Sequence, residues 1–213
     1  MNLFISFEGI DGSGKTTQLE LLHEYLLKRN FDTIIAREPG GTEIGEAIRQ
    51  ILLHSGTHDL KPLSELLLYC ASRHQNLCQN ILPALEQGRW VLCDRYADAS
   101  LAYQGYGRGM DLNFIEQLNV AVIGQRIPDL TFLIDIDPAA ALARARQRNQ
   151  ESAVDEGRFE MESVLFFERV RQGYLTIARN SPGRFRIVRG DLSVEQAHQE
   201  ITRSLGEVVP EIS

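Results

Sequence analysis

The sequence predicts an α/β fold in which helices cover both faces of a five-stranded parallel sheet. Short apolar segments of strand-forming residues alternate along the chain with longer segments whose apolar residues recur at helical spacing. Polar motifs follow the predicted strands directly. Because active sites of open parallel sheets lie beyond the carboxyl ends of the strands, we expect these motifs to meet at one edge.

The strands are predicted where four or five consecutive residues are mostly apolar and rich in β-branched or aromatic side chains. They occupy residues 3–7, 33–37, 90–93, 130–134 and 184–188.

The helices are predicted where apolar residues recur every three or four positions. Thr42 is a suitable N-cap for the second helix, and Pro138 suits the first turn of the fifth. The helical segments are residues 15–30, Glu43–Leu53, 63–85, 111–124, a helix from Pro138, 159–178 and Val194–Val208. Between residues 144 and 158 the chain becomes polar and loses clear periodicity.

The composition indicates one compact domain over residues 1–213. Its hydrophobic fraction of 43% and charged fraction of 24% are ordinary for a globular protein in water. The net charge of −7 argues against a general nucleic-acid binder, although it leaves room for a local basic pocket.

The three cysteines, Cys70, Cys78 and Cys93, form no C-x-x-C pair, so the sequence predicts neither disulfides nor a zinc site. No apolar run approaches the ~20 residues that a membrane-spanning helix requires. The N-terminus leads directly into a strand without a targeting pattern. We therefore expect a cytoplasmic protein that binds neither membrane nor nucleic acid.

The first motif lies between the first strand and the first helix. Gly9 is followed after four residues by Gly14-Lys15-Thr16, which is the spacing of a phosphate-binding P-loop. Glycines allow a tight turn close to phosphate oxygens, and the helix N-terminus presents positive potential to the anion. The motif predicts a three-layer α/β/α P-loop NTPase fold. The alternative, a glycine turn without a ligand, is poorly compatible with the complete pattern.

Lys15 is predicted to reach the β- and γ-phosphates of a nucleoside triphosphate, and the Thr16 hydroxyl to ligate Mg²⁺. A second metal-binding carboxylate is expected at the end of a strand, where Asp94 precedes Arg95. Asp135 and Asp137 are alternatives for that role. The residues predicted to bind the triphosphate are Gly9, Ile10, Asp11, Gly12, Ser13, Gly14, Lys15, Thr16 and Thr17.

Several arginines are candidates for binding phosphate, since a guanidinium can hold two phosphate oxygens at once. Arg49 and Arg73 lie on predicted helices, where a solvated surface role is the simpler interpretation. Tyr69 lies four residues before Arg73, and the pair could form one wall of a base-binding site. The polar segment at 144–158 suits a short arginine-rich lid, or alternatively a solvated helix end.

Taken together, the motifs resemble those of the bacterial thymidylate kinases. The matching segments follow the family order over roughly residues 3–175, which is far more specific than the P-loop alone. They are residues 7–17, 37–42, 94–96, 100–105 and 158–160.

The resemblance implies transfer of the γ-phosphoryl group of ATP, with Mg²⁺, to dTMP, a step that feeds dTTP synthesis. It also implies a homodimer formed through helices. Arg49 and Arg95 would hold the dTMP phosphate, Tyr69 would stack on thymine, and Tyr103 would pack against the sugar C2′. The implied dTMP-binding residues are Asp11, Glu38, Pro39, Arg49, Tyr69, Arg73, Arg95, Ser100, Tyr103 and Gln104.

In this resemblance, an arginine that assists transfer sits in the P-loop or in the lid. Gly12 stands where a P-loop arginine would be, so Arg146, Arg148 and Arg158 are the lid candidates, beside Lys15 and Arg95 as further catalytic residues. The segment 147–157 is longer and more acidic than usual in the family, so the choice among the lid arginines stays open. Competing interpretations are another nucleoside monophosphate or deoxynucleoside kinase, or a slow regulatory ATPase.

Overall fold

The computed structural model describes residues 2–54, 56, 59–151 and 157–212, and the side chains at 148–151 and 160 lie outside this description. Its centre is a five-stranded, entirely parallel sheet with strand order β2-β3-β1-β4-β5. This confirms the predicted fold class. The strands are β1 (Phe4–Glu8), β2 (Thr33–Arg37), β3 (Trp90–Asp94), β4 (Leu130–Asp135) and β5 (Phe185–Arg189).

Helices cover both faces of the sheet. In the described part of the chain, none of them has both the length and the apolar character needed to cross a bilayer. They are α1 (Lys15–Leu27), α2 (Glu43–Leu53), α3 (Pro62–Asn76), α4 (Leu82–Glu86), α5 (Ala97–Ser100), α6 (Leu112–Ile123), α7 (Pro138–Glu151), α8 (Val164–Asn180) and α9 (Val194–Val208).

The core divides into layers because side chains alternate across each strand. On β1, Ile5 and Phe7 pack in the cluster that contains leucines of α1 and the buried residues of α9. Phe4 points to the opposite face and packs with residues of β3 and α4. With both faces covered, β1 is wholly buried, and the loop at its carboxyl end is held at the middle of the sheet edge.

The long helix predicted at 63–85 is divided. A π-helical turn at Leu77–Ile81 separates α3 from α4. Pro83 lies in the second position of α4, where its missing N–H cannot continue the hydrogen-bond ladder of α3. The π-helical turn joins α3 and α4 into one continuous helical segment.

A helical segment over 97–107 was not predicted from the sequence. It begins as α5 and continues as a π-helical segment at Leu101–Gly107. Nearly all of its side chains are buried, including Asp98, Ser100 and Gln104. A helix buried on all sides has no polar face and therefore shows no amphipathic period. The alanines of this segment were the only sequence feature that indicated a helix.

The segment around residues 144–158 also differs from the prediction. Helix α7 continues to Glu151, because its alanine, arginine and glutamine residues are strong helix formers. The helix predicted from residue 159 begins instead at Val164, where the Ser163 side chain accepts from the Phe166 N–H. Phe159 lies in a 3₁₀ turn at Gly157–Met161.

Candidate functional site

The P-loop joins the end of β1 to the start of α1. Gly9, Gly12 and Gly14 have φ angles of 141°, 80° and 91°, in the region that side chains disfavour. At Gly12 a Cβ atom would overlap the carbonyl group of Ala141 in α7, so this loop packs directly against helix backbone. The glycine pattern is therefore required by both conformation and space.

Thr16 and Asp94 meet because β1 and β3 are neighbours and Phe7 is in register with Asp94. The Thr16 hydroxyl donates to Asp94 Oδ2 at 2.5 Å. Both groups offer hard oxygen ligands beside the P-loop, which is the chemistry that Mg²⁺ requires. Of the two alternatives, Asp135 accepts both hydrogen bonds of the Arg171 guanidinium, at 2.6 and 2.8 Å, and Asp137 caps the first turn of α7 through Ala139 N–H.

Arg95 is the centre of a buried network. It has a φ of 67°, unusual for a residue with a side chain, and its N–H donates to Phe7 O of β1. Nη1 donates to Gly9 O at 2.8 Å and to the Tyr174 hydroxyl at 3.0 Å. Nη2 donates to Asp11 Oδ1 and to the Tyr103 hydroxyl, both at 2.9 Å. In the described part of the chain, Nε–H is the Arg95 donor without a protein acceptor.

Asp11 is the carboxylate that faces the positive charges of Arg95 and Lys15 in this network. Burial opposes ionisation of this carboxyl, but the nearby charges of Arg95 and Lys15 hold its pKa well below the ordinary value. Burial raises the pKa of Tyr103, so its hydroxyl keeps the proton that it donates to Asp11 Oδ2 at 3.0 Å. Asp11 is thus an ionised acceptor held by a cation and a neutral phenol.

An open cavity of about 270 Å³ begins at the P-loop and extends between α2, α3 and the segment at 97–107. It brings together residues that are distant in the sequence. Its lining residues are Asp11, Lys15, Thr16, Arg37, Glu38, Pro39, Arg49, Leu53, Tyr69, Asp94, Arg95, Ala99, Ser100, Tyr103, Gln104 and Phe159.

Most of the acceptor-site residues predicted from the resemblance line this cavity, and Arg73 is the exception. Arg73 is 1% exposed and lies behind the wall. Its Nε donates to Glu38 Oε2 at 2.7 Å, and its Nη1 donates to the Ser100 hydroxyl at 3.0 Å. Nη2 donates to Tyr96 O. The guanidinium on α3 therefore ties Glu38, after β2, to the segment at 96–100.

The predicted lid arginines are in different situations. Arg146 is exposed on α7, and the side chain of Arg148 lies outside the described residues. Arg158 is buried: its Nε donates to Leu52 O, and its Nη2 donates to Glu65 Oε2 at 2.6 Å. In this structure the Arg158 guanidinium is engaged with α2 and α3 rather than with the P-loop.

Sequence reasoning missed several residues that support the cavity. Glu8, the last residue of β1, accepts from Tyr96 N–H and from the Tyr174 hydroxyl, each at 2.7 Å. Glu65 is fully buried and accepts from Gln104 and Arg108. A charged residue within an apolar segment was the available signal for Glu8 and Glu65, because such a residue is rarely buried without a partner.

The family comparison agrees with this geometry. The thymidylate kinase family model matches residues 7–201 of the chain. A thymidylate kinase of Syntrophotalea carbinolica is 50% identical over 202 residues, which cover 94% of each chain. One from Kosmotoga olearia is 46% identical, again with 94% of each chain covered.

A solved structure gives the same result in three dimensions. The crystal structure of thymidylate kinase from Ehrlichia chaffeensis superposes with a TM-score of 0.77 at 38% identity, covering 96% of this chain and 98% of that one. The match over nearly the whole length and the P-loop geometry lead to one conclusion: the chain belongs to the thymidylate kinase family.

Proposed function

We propose that the protein binds ATP on the P-loop and dTMP in the adjoining cavity, and transfers the γ-phosphoryl group between them. As a thymidylate kinase it is an ATP-dependent transferase of nucleotide biosynthesis that converts dTMP to dTDP. The observation that carries the site assignment is the cavity itself: Lys15 and Thr16 line it together with Arg95, Tyr69 and Gln104.

The donor end of this arrangement suits a triphosphate. The backbone N–H groups of a P-loop and the N-terminus of α1 attract anionic oxygens. Lys15 is 6% exposed and its Nζ lies 4.0 Å from Asp11 Oδ1, so its charge is held close to the loop. We assign Lys15 to the β- and γ-phosphates, where it would neutralise charge on the transferred group.

The acceptor end suits a pyrimidine nucleotide. Tyr69 offers a ring for stacking, and Gln104 offers an amide for the edge of the base. Tyr103 packs edge-on against Phe159 with ring centroids 5.4 Å apart, which makes it a rigid wall for a sugar. Arg49 donates to Pro39 O at 2.9 Å and lies where it could also contact an acceptor phosphate.

Thr16 and Asp94 are the residues that would hold Mg²⁺, and the ion would neutralise phosphate charge when it is bound. The donor set fits, since a hydroxyl and a carboxylate are oxygen ligands. Among the described residues there is no group of three or more His, Cys, Asp or Glu that could hold a metal. Magnesium usually takes one or two protein ligands and completes its shell with water and phosphate.

The residues of the chain act chiefly by positioning and charge. The attacking atom is a phosphate oxygen that is largely ionised at neutral pH, so no strong general base is required. Lys15 and the backbone of the P-loop would stabilise charge on the transferred group, while Arg95 and Asp11 keep the cavity wall rigid. Closure of the segment around 144–158 would exclude water from the reaction.

The test is a transfer assay with ATP, Mg²⁺ and a panel of dTMP, dUMP, UMP, dCMP, AMP and thymidine. We expect dTMP to be the preferred acceptor, with dTDP and ADP formed in equal amounts. Folded Lys15→Ala protein should lose transfer. Release of free phosphate without a phosphorylated nucleotide, or preference for another acceptor, would overturn the assignment.

We also propose a cytoplasmic homodimer. All three cysteines are free, which suits a reducing compartment. Apolar side chains on the outer faces of α3 and α6 are well exposed in the single chain: Leu67 at 48%, Phe114 at 43% and Val120 at 64%. Neighbouring helices with such side chains support a self-association surface.

A further inference from the structure

Glu65 is a buried carboxylate that contacts three side chains from two other segments of the chain. Its Oε1 accepts from Gln104 Nε2 at 2.8 Å, and its Oε2 accepts from Arg158 Nη2 at 2.6 Å. Arg108 reaches both oxygens, at 3.3 and 3.2 Å. Glu65 itself is not part of the cavity lining, but Gln104 is.

Glu65 is an acceptor and not a donor. Burial alone would raise its pKa, but the guanidinium groups of Arg108 and Arg158 hold the pKa below its ordinary value. An ionised carboxylate can only accept hydrogen bonds. The atom of the Gln104 amide that faces Glu65 must therefore be the NH₂ group, and the carbonyl oxygen Oε1 is left for a ligand.

We infer that Glu65 is a positioning residue that orients the Gln104 amide and thereby selects acceptor bases that carry a hydrogen on N3. The inference rests on the proposed function. Thymine and uracil have an N3–H that can donate to a carbonyl oxygen. Cytosine has an unprotonated N3 that would face this oxygen, acceptor against acceptor. Sites built to hydrogen-bond a particular group reject analogues that lack it.

The same carboxylate holds Arg158, which is the last residue of the predicted lid segment and lies in the 3₁₀ turn at Gly157–Met161. Arg108 continues the network to Glu162, whose Oε1 accepts from Nη1 at 2.5 Å. Glu162 contacts this network without touching Gln104, so it provides a matched control for loss of a carboxylate.

The experiment compares dTMP with 5-methyl-dCMP, which has the same ring size and methyl group but an unprotonated N3 and an amino group in place of the 4-oxygen. The quantity measured is the ratio of kcat/KM for the two acceptors. We expect wild type to favour dTMP by at least about a hundredfold. Glu65→Gln lets the Gln104 amide turn either way, so the ratio should fall at least about tenfold, the equivalent of one misoriented hydrogen bond.

Glu65→Asp keeps the charge that faces Arg108 and Arg158 but withdraws the carboxylate from Gln104, and it should lower the ratio in the same direction. It decides the matter if Glu65→Gln does not fold. Glu162→Gln should leave the ratio unchanged. Equal loss of activity on both acceptors in folded Glu65 variants would mean a purely structural role and would overturn the inference.

A wild-type ratio near one would also overturn the inference, since Gln104 would then not select on N3. Failure of the proposed function is distinguishable, because the wild-type protein would then transfer no phosphate to dTMP. If dTMP is phosphorylated normally and only the effect of Glu65 is absent, the function stands and the positioning role does not.

Discussion

At the scale of single residues, Arg95 shows how one side chain serves several purposes. Its backbone conformation, with φ of 67°, is held by hydrogen bonds to β1, the P-loop and α8. Strain of this kind persists only where the surroundings determine it, and it is frequent at functional sites. Its side chain lines the cavity, so its loss should affect the acceptor more than the donor.

Arg95→Ala is therefore expected to raise KM for dTMP by ten- to a hundredfold, with a much smaller change in KM for ATP. Loss of a charge-assisted hydrogen bond is worth about 1.5–3 kcal/mol. Steady-state kinetics with each substrate varied in turn measure the effect, after circular dichroism has verified folding. Lys28→Ala removes a cation whose side chain is 75% exposed and should change neither constant. Equal weakening of both substrates would contradict the placement of Arg95.

The raised pKa of Glu8 predicts that the stability of the protein depends on pH. Burial and the nearby Asp98 raise its pKa from 4.5 to about 8, although Arg95 and two hydrogen bonds oppose that rise. The native state then binds a proton that the unfolded state has lost. The contribution of Glu8 to stability is fully present below pH 4.5 and is lost as pH rises towards 8.

Glu8→Gln cannot ionise, so its free energy of unfolding relative to wild type should rise steadily between pH 5 and pH 8. Denaturant unfolding of both proteins across this range provides the measurement. A difference that stays constant with pH would show that Glu8 titrates alike in both states.

At the scale of elements, the contact between the P-loop and α7 positions the donor site. Gly12 has no room for a Cβ because backbone atoms of Ala141 and Ala145 occupy the space. Helix α7 leads into the predicted lid, so the packing at Gly12 connects the phosphate loop to the segment expected to close over it. An added methyl group must push the two apart.

Gly12→Ala should lower the unfolding temperature and reduce phosphoryl transfer together. Gly88→Ala is the matched control, because Gly88 has a similar φ of 79° but open space around it. That control should show only the backbone cost of about 1 kcal/mol and keep its activity. Thermal unfolding and the transfer assay give both readouts. If the two variants behave alike, the contact with α7 has no separate importance.

At the scale of the whole molecule, α3 and α6 form one outer surface while the inner side of α3 supports the cavity. Tyr69, Arg73 and Glu65 all project from α3, either into the cavity wall or behind it. A partner packed on the outer face of α3 would therefore brace the acceptor site. The proposed dimer and the proposed activity share this helix.

Val120→Glu should convert the proposed dimer to a monomer, because it places a charge in the middle of an apolar interface. Sedimentation velocity of the variant should give half of the wild-type mass. Ile187→Glu, at a position 47% exposed on β5, is a control for the added charge and should keep the wild-type mass. A wild-type protein that sediments as a monomer would contradict the proposed dimer.

Most of the acceptor-site residues came from the resemblance to a known family, but the sequence pattern by itself determined the positions of the P-loop, the five strands and the Asp94-Arg95 pair. These are local signals: glycine spacing, apolar period, and polar residues placed directly after strands. A parallel sheet then brings the strand ends together, so sites such as Thr16 with Asp94 follow from topology alone.

Only the tertiary structure decided how the buried charges pair. Glu65 meets Gln104 and Arg158 across 39 and 93 positions of sequence. Arg73 lies behind the cavity wall, where it pairs with Glu38, and Arg158 pairs with Glu65 of α3. A buried cation requires an acceptor, and the packing of the helices determines which acceptor is within reach. The periodicity of the sequence cannot predict these pairs, since they depend on which helices pack against each other.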